Sequence, residues 1–137
     1  ALGLLAAPAL TACERAGTAQ PGEDPPARVE EIPGSDVKKV IFTEDAEGAI
    51  GVETAPVAQG EGGQLTVPYA AVIYYLDGTT WAYTEPGEHE FVRVPIKVSS
   101  IAGDIAVLAE GPPAGTPVVV VGAPEVLGAE LEIDGEQ

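Results

Sequence analysis

Between Leu65 and Gly122 the chain alternates short β-branched and aromatic runs with glycine, proline and Asp-Gly breaks. Few folds accept that pattern. The apolar runs are too short for helices of ordinary length, and their period is two. Val72–Leu76 and Thr79–Thr84 flank Asp77-Gly78, and such a pair between strand-like runs predicts a hairpin, because the tight turn needs positive φ. In the second arm Thr80, Ala82 and Thr84 alternate with Thr79, Trp81 and Tyr83, which places Trp81 and Tyr83 on one face. Glu85–Glu90 reads as an acidic loop. Phe91, Arg93, Pro95 and Lys97 then alternate against Val92, Val94, Ile96 and Val98, a strand with one buried face, and Pro95 points to an edge position or a bulge. Ala102-Gly103-Asp104 turns the chain into Ile105–Ala109. After the tight loop Gly111–Gly115, Val118–Val121 reads as an apolar strand buried on both sides or at a sheet centre.

Upstream, Val37–Thr43 is strand-like. Thr43 is placed to cap a short helix whose first turn carries Glu44, Asp45 and Glu47 near the positive end of its dipole, and Gly51 suits its stop. Val52–Val57 returns to strand, and 58–63 is a flexible turn. Downstream, Ala123–Leu127 reads as one helical turn and Glu130–Gln137 as a loosely ordered acidic tail. Residues 14–33 show no apolar periodicity and are rich in Pro, Gly, Glu and Ala, the composition of an extended tether. These readings predict an all-β fold: a small barrel or sandwich of about six to eight short strands with one or two helical turns, preceded by a disordered tether. The expected division is 1–13 signal remnant, 14–34 tether, 35–128 β-domain and 129–137 acidic tail.

The 137 residues suit one small domain. They include 22 acidic and 6 basic residues, a net charge of −16, which argues against nucleic acid and against anionic lipid headgroups as partners. Residues 1–13, ALGLLAAPALTAC, resemble the end of a bacterial lipoprotein signal peptide that begins inside the signal. Leu2–Ala7 correspond to an apolar core remnant, and Leu10-Thr11-Ala12-Cys13 match the lipobox: an aliphatic residue, two small ones, then the cysteine that accepts the lipid. Cys13 is the sole cysteine, so it has no internal disulfide partner, and lipidation accounts for it. The expected address is the extracytoplasmic face of a membrane, held by a lipid anchor.

The order of the strand segments resembles the membrane-proximal β-domain of periplasmic adaptor subunits, the HlyD-type membrane fusion proteins of RND and ABC efflux systems. The matching pieces are Val67-Pro68 with Tyr69–Val72, Thr80–Thr84, Phe91-Val92-Arg93 with Pro95–Val98, Gly103–Leu108, and Glu110–Gly122 with its two glycines and valine strand. Val40–Val57 resembles the opening segment of such adaptors. The resemblance implies docking on an inner- or cytoplasmic-membrane transporter, by packing and without a cofactor. It leaves self-association open. Adaptors usually carry a lipoyl-like domain split by a long helical hairpin. Here the chain passes from Val57 to Leu65 through a few Gly-rich residues, which implies the membrane-proximal part kept as a short lipoprotein.

The chain shows no phosphate loop, serine elbow or other catalytic constellation, and the expectation is a protein that is not an enzyme. Arg93 and Lys97, on one strand face amid acid, are the candidate partner contacts. His89, flanked by Glu88 and Glu90, is the candidate metal position and underlies the alternative of a free-standing cation- or small-ligand-binding lipoprotein.

Overall fold

The computed structural model describes Gly3 and residues 24–135. Ten strands and two helices follow one another: β1 (Ala27–Glu31), β2 (Lys38–Phe42), α1 (Glu44–Ile50), β3 (Glu53–Pro56), β4 (Ala58–Gln59), β5 (Leu65–Pro68), β6 (Ile73–Tyr74), β7 (Thr80–Gly87), β8 (Glu90–Ala102), β9 (Ile105–Glu110), β10 (Pro117–Val121) and α2 (Ala123–Gly135). The described strand pairings are all antiparallel. The main path runs β3-β10-β7-β8-β9-β5-β4, with β1 and β2 attached to β8 and β6 to β7.

The path nearly closes on itself. β3 pairs with β10 at one end of the order, β4 pairs with β5 at the other, and only Val57 separates β3 from β4. Val57 N–H donates to the Thr116 carbonyl at 2.8 Å, and its own carbonyl accepts from Gly115 N–H at 2.8 Å. One run of chain therefore serves both edges of the sheet, and a small all-β barrel results.

Two cores lie on opposite faces of the wall formed by β10, β7 and β8. Inside the barrel are Val57, Val67, Ala71, Ala82, Ile96, Ala106, Leu108 and Val118. Outside it, under α1, α2, β1 and β2, are Val40, Phe42, Ile73, Tyr83, Phe91, Val119, Ala123 and Val126. The strand period of two divides each wall strand between them: Ala82 inside and Tyr83 outside on β7, Val118 inside and Val119 outside on β10. Val118 and Val119 are both fully buried, as the apolar run of β10 predicts. Trp81 packs against the same outer core as Tyr83.

Several local readings are realised. Thr43 Oγ1 accepts from Ala46 N–H at 3.2 Å and caps α1, while Gly51 ends it at φ +77°. Asp77-Gly78 turns β6 into β7, with Gly78 at φ +86°. Pro95 resolves as a local edge. β8 pairs with β2 over 90–92 and with β9 over 97–102, so at Pro95 it has a described strand partner only on the β7 side. A residue lacking an N–H fits that handover.

Other expectations are corrected. The tether 14–34 contains β1, which pairs with β2 from Ala27↔Phe42 to Glu31↔Lys38 and places Ala27 and Val29 against the outer core. The rest of residues 14–23 lies outside the described residues. Glu85–Glu90 is not an open loop: β7 continues to Gly87 and β8 starts at Glu90, with His89 at φ +63° in the turn. The anticipated helical turn at 123–127 and loose tail from 129 are one helix, α2, with Ala123, Val126 and Glu130 buried. Phe91 and Arg93 are buried while Pro95 and Lys97 on the same side of β8 are exposed, because α2 covers only the first part of the strand.

If one wall serves both cores, damage to either should be felt as one cooperative loss. Phe91→Ala in the outer core and Leu108→Ala in the barrel are each expected to cost about 2–5 kcal/mol. Urea unfolding followed by circular dichroism should show a single shifted transition for each. Two separate transitions would contradict the shared wall.

Candidate functional site

The outer core contains charge. Arg93 Nε donates to Glu130 Oε2 at 2.9 Å and to Oε1 at 3.1 Å, and both side chains are buried. Tyr83 Oη donates to Glu130 Oε2 at 2.5 Å, and Lys38 N–H donates to Oε1 at 3.3 Å. The guanidinium lies 4.4 Å from the Trp81 ring centroid and 4.7 Å from that of Tyr75. Burial, and then the hydrogen bond to Glu130, hold the Tyr83 hydroxyl well above its ordinary pKa, so it remains a donor. Arg93 is therefore a clamp on α2 and not an exposed partner contact. Lys97, its companion in the sequence reading, is exposed.

His89 is also drawn into the fold. Its Nδ1 meets the Glu47 carboxylate of α1, and its Nε2 lies 3.6 Å from Glu88 Oε1. Contact with Glu47 raises the His89 pKa. Glu90 turns instead to Lys39, 3.6 Å away, so His89, Glu88 and Glu90 are not gathered on one point. Among the described residues no three His, Cys, Asp or Glu side chains form a metal-holding group. Cys13 lies outside the described residues.

One end of the barrel is apolar and open to solvent. Tyr69 N–H donates to the Asp104 carbonyl at 2.7 Å, joining the end of β5 to the β8–β9 turn. Ile101, near the end of β8, and Ile105, at the start of β9, flank that turn and are exposed, and Ile105 pairs with Pro68. The Tyr69 and Tyr74 rings meet edge-on at 6.5 Å, with their hydroxyls 3.2 Å apart. Beyond them, in the β6–β7 turn, Leu76 is 95 % exposed. The turn is fixed: the Asp77 carboxylate accepts from Thr79 Oγ1 at 2.5 Å and Thr79 N–H at 3.0 Å, contacts that also lower its pKa. Leu76 thus stands almost uncovered on a braced turn, and Tyr69, Tyr74, Ile101 and Ile105 are exposed in part at the ends of the neighbouring strands. Sequence reading missed this surface because single apolar residues in turns look like strand ends.

No protein-family model matches the chain, and neither the curated proteins nor the solved structures provide a match.

Two outcomes test these contacts. Glu130→Ala leaves Arg93 buried without its carboxylate and should cost about 3–5 kcal/mol in urea unfolding. Replacing Arg93, Glu130 and Tyr83 together by Met, Leu and Phe should restore most of that loss. For His89 the folded pKa is raised, so the contact with Glu47 stabilises fully below the unfolded value of about 6.5 and fades as pH rises through the folded value. The Tm of the wild type should fall more than that of His89→Asn as pH is taken upward through this window. Asn tolerates the positive φ of the turn.

Proposed function

We propose that this chain is a lipid-anchored, extracytoplasmic accessory protein of adaptor type. It docks on a membrane efflux transporter of the RND or ABC class and biases that transporter's conformation by packing alone. The observation that carries the reading is the exposed end of the barrel, with Leu76 on a braced turn and Tyr69 and Tyr74 in contact with each other beside it. A rigid, pre-formed apolar surface loses little entropy on docking, and aromatic side chains are favoured anchors at such contacts. The barrel itself suits the resemblance to the adaptor β-domain, and Cys13 would supply the anchor. Among the described residues no helix is long and apolar enough to cross a membrane, a statement that does not extend to strands.

The test places a photo-crosslinking residue at Leu76 and, in a second strain, at exposed Glu53 on β3. Leu76 is expected to capture an integral transporter subunit and Glu53 not to. Cys13→Ala should release the protein from the membrane fraction and abolish incorporation of labelled fatty acid. Capture of no membrane protein from Leu76, or equal capture from both positions, would overturn the docking reading.

A further inference from the structure

A groove of about 360 Å³ opens at the start of β7, lined by Thr79, Thr80, Trp81, Pro95, Lys97 and Glu110 among others. Its volume lies in the range that small-molecule sites occupy. The strand ladder gives its floor a definite plan. Trp81 pairs with Pro95 across β7 and β8, and Lys97 pairs with Glu110 across β8 and β9. Paired residues share a face, and Pro95 and Lys97 are two apart on β8. The apolar pair and the charged pair both line the groove, with Pro95 and Lys97 about 7 Å apart along β8.

The charged pair is unusual in this molecule. Opposite charges placed directly across a ladder ordinarily join. Here no ion pair joins Lys97 to Glu110, although Lys38, Lys39 and Arg93 each meet a carboxylate. Among the described residues neither Lys97 nor Glu110 has another ionic or side-chain hydrogen-bond partner. A register shift between Lys97 and Val98 falls at this place in the ladder. Bulges of this kind re-aim side chains.

The apolar side is held still. Trp81 Nε1–H donates to Thr79 Oγ1 at 2.7 Å, and the Arg93 guanidinium lies 4.4 Å from the ring centroid. A ligand meeting this floor needs an apolar body for Trp81 and Pro95, an anion for Lys97 and a cation for Glu110.

We infer that the groove binds a small zwitterion with an apolar body, a free α-amino acid or short peptide, with its carboxylate on Lys97, its ammonium on Glu110 and its side chain on Trp81 and Pro95. The inference is independent of the transporter reading, since it rests on other residues and needs no membrane partner.

Trp81 is the only tryptophan in the chain, so its fluorescence reports from the site itself. The probes are L-leucine, L-phenylalanine and L-leucyl-L-leucine, titrated up to about 30 mM to cover the millimolar affinities expected of a small open site. At least one should give a saturable change in emission. For that probe, blocking the ammonium by acetylation or the carboxylate by amidation should weaken binding by about tenfold or more, the loss expected for a hydrogen bond to a charged group. Lys97→Met and Glu110→Gln, both at exposed positions, should do the same while leaving the far-UV circular dichroism unchanged. No saturable change with any of the three probes would overturn the inference. So would equal binding of the blocked forms, or unchanged affinity in both variants.

Discussion

The ion pair between Arg93 and Glu130 is the contact on which the outer half of the molecule depends. Burying two charges is costly, and their attraction offsets that cost only when the remaining polar atoms are satisfied. Here Glu130 also accepts from Tyr83 and from the Lys38 backbone, while Arg93 lies between the rings of Tyr75 and Trp81. The partners come from β2, the β6–β7 turn, β7, β8 and α2. An apolar pair at the same place would hold the helix to the sheet as firmly, but it would tolerate a slide or a rotation. A carboxylate that must meet these donors fixes α2 in one register.

That clamp also explains why the two faces of the wall differ. The barrel side is aliphatic and small, with valines and alanines closing around Ile96 and Leu108. The outer side carries the large residues Tyr83, Phe91 and Trp81 and the buried charge. Strand alternation sorts one set from the other at Ala82 and Tyr83 on β7 and at Val118 and Val119 on β10, and the register shifts of both strands fall further along, after Thr84 and after Val119. The surplus acid elsewhere is left to water. Surface contacts such as Arg28–Glu30, at 3.7 Å with both side chains widely exposed, add little to stability.

Most of the sheet was legible because its signals are local. Alternation placed Trp81 beside Tyr83, Asp77-Gly78 marked a hairpin, and Thr43 and Gly51 bounded α1. What was not legible depends on partners distant in sequence. α2 has helical spacing at Ala123, Val126, Leu127 and Glu130, but the last position carries a charge. Arg93, Tyr83 and the Lys38 backbone, all far away in the chain, make a glutamate acceptable there, so the fourth inward position read as tail. β1 offers two apolar residues, Ala27 and Val29, too few to declare a strand without β2 beside it. Arg93 read as a surface charge for the same reason. The exposed end and the Trp81 groove were hidden differently: each is assembled from residues on separate strands and turns, and no local run carries its signature.

The clamp and the two surfaces are physically continuous. From the β6–β7 turn, Asp77 accepts from Thr79, Thr79 accepts from the Trp81 indole, and the Trp81 ring meets Arg93, which holds Glu130. One end of this series stands beside Leu76 and the other is locked in the outer core. A hairpin tip braced only by its own turn would fray on fast timescales. This tip is tied through Trp81 to a buried charge pair, and its geometry is set by the fold. Trp81 occupies the middle of the series and one wall of the groove at once. Displacing its ring would disturb both the presentation of Leu76 and the packing over Arg93, which gives the chain's single tryptophan a larger structural role than its half-buried position suggests.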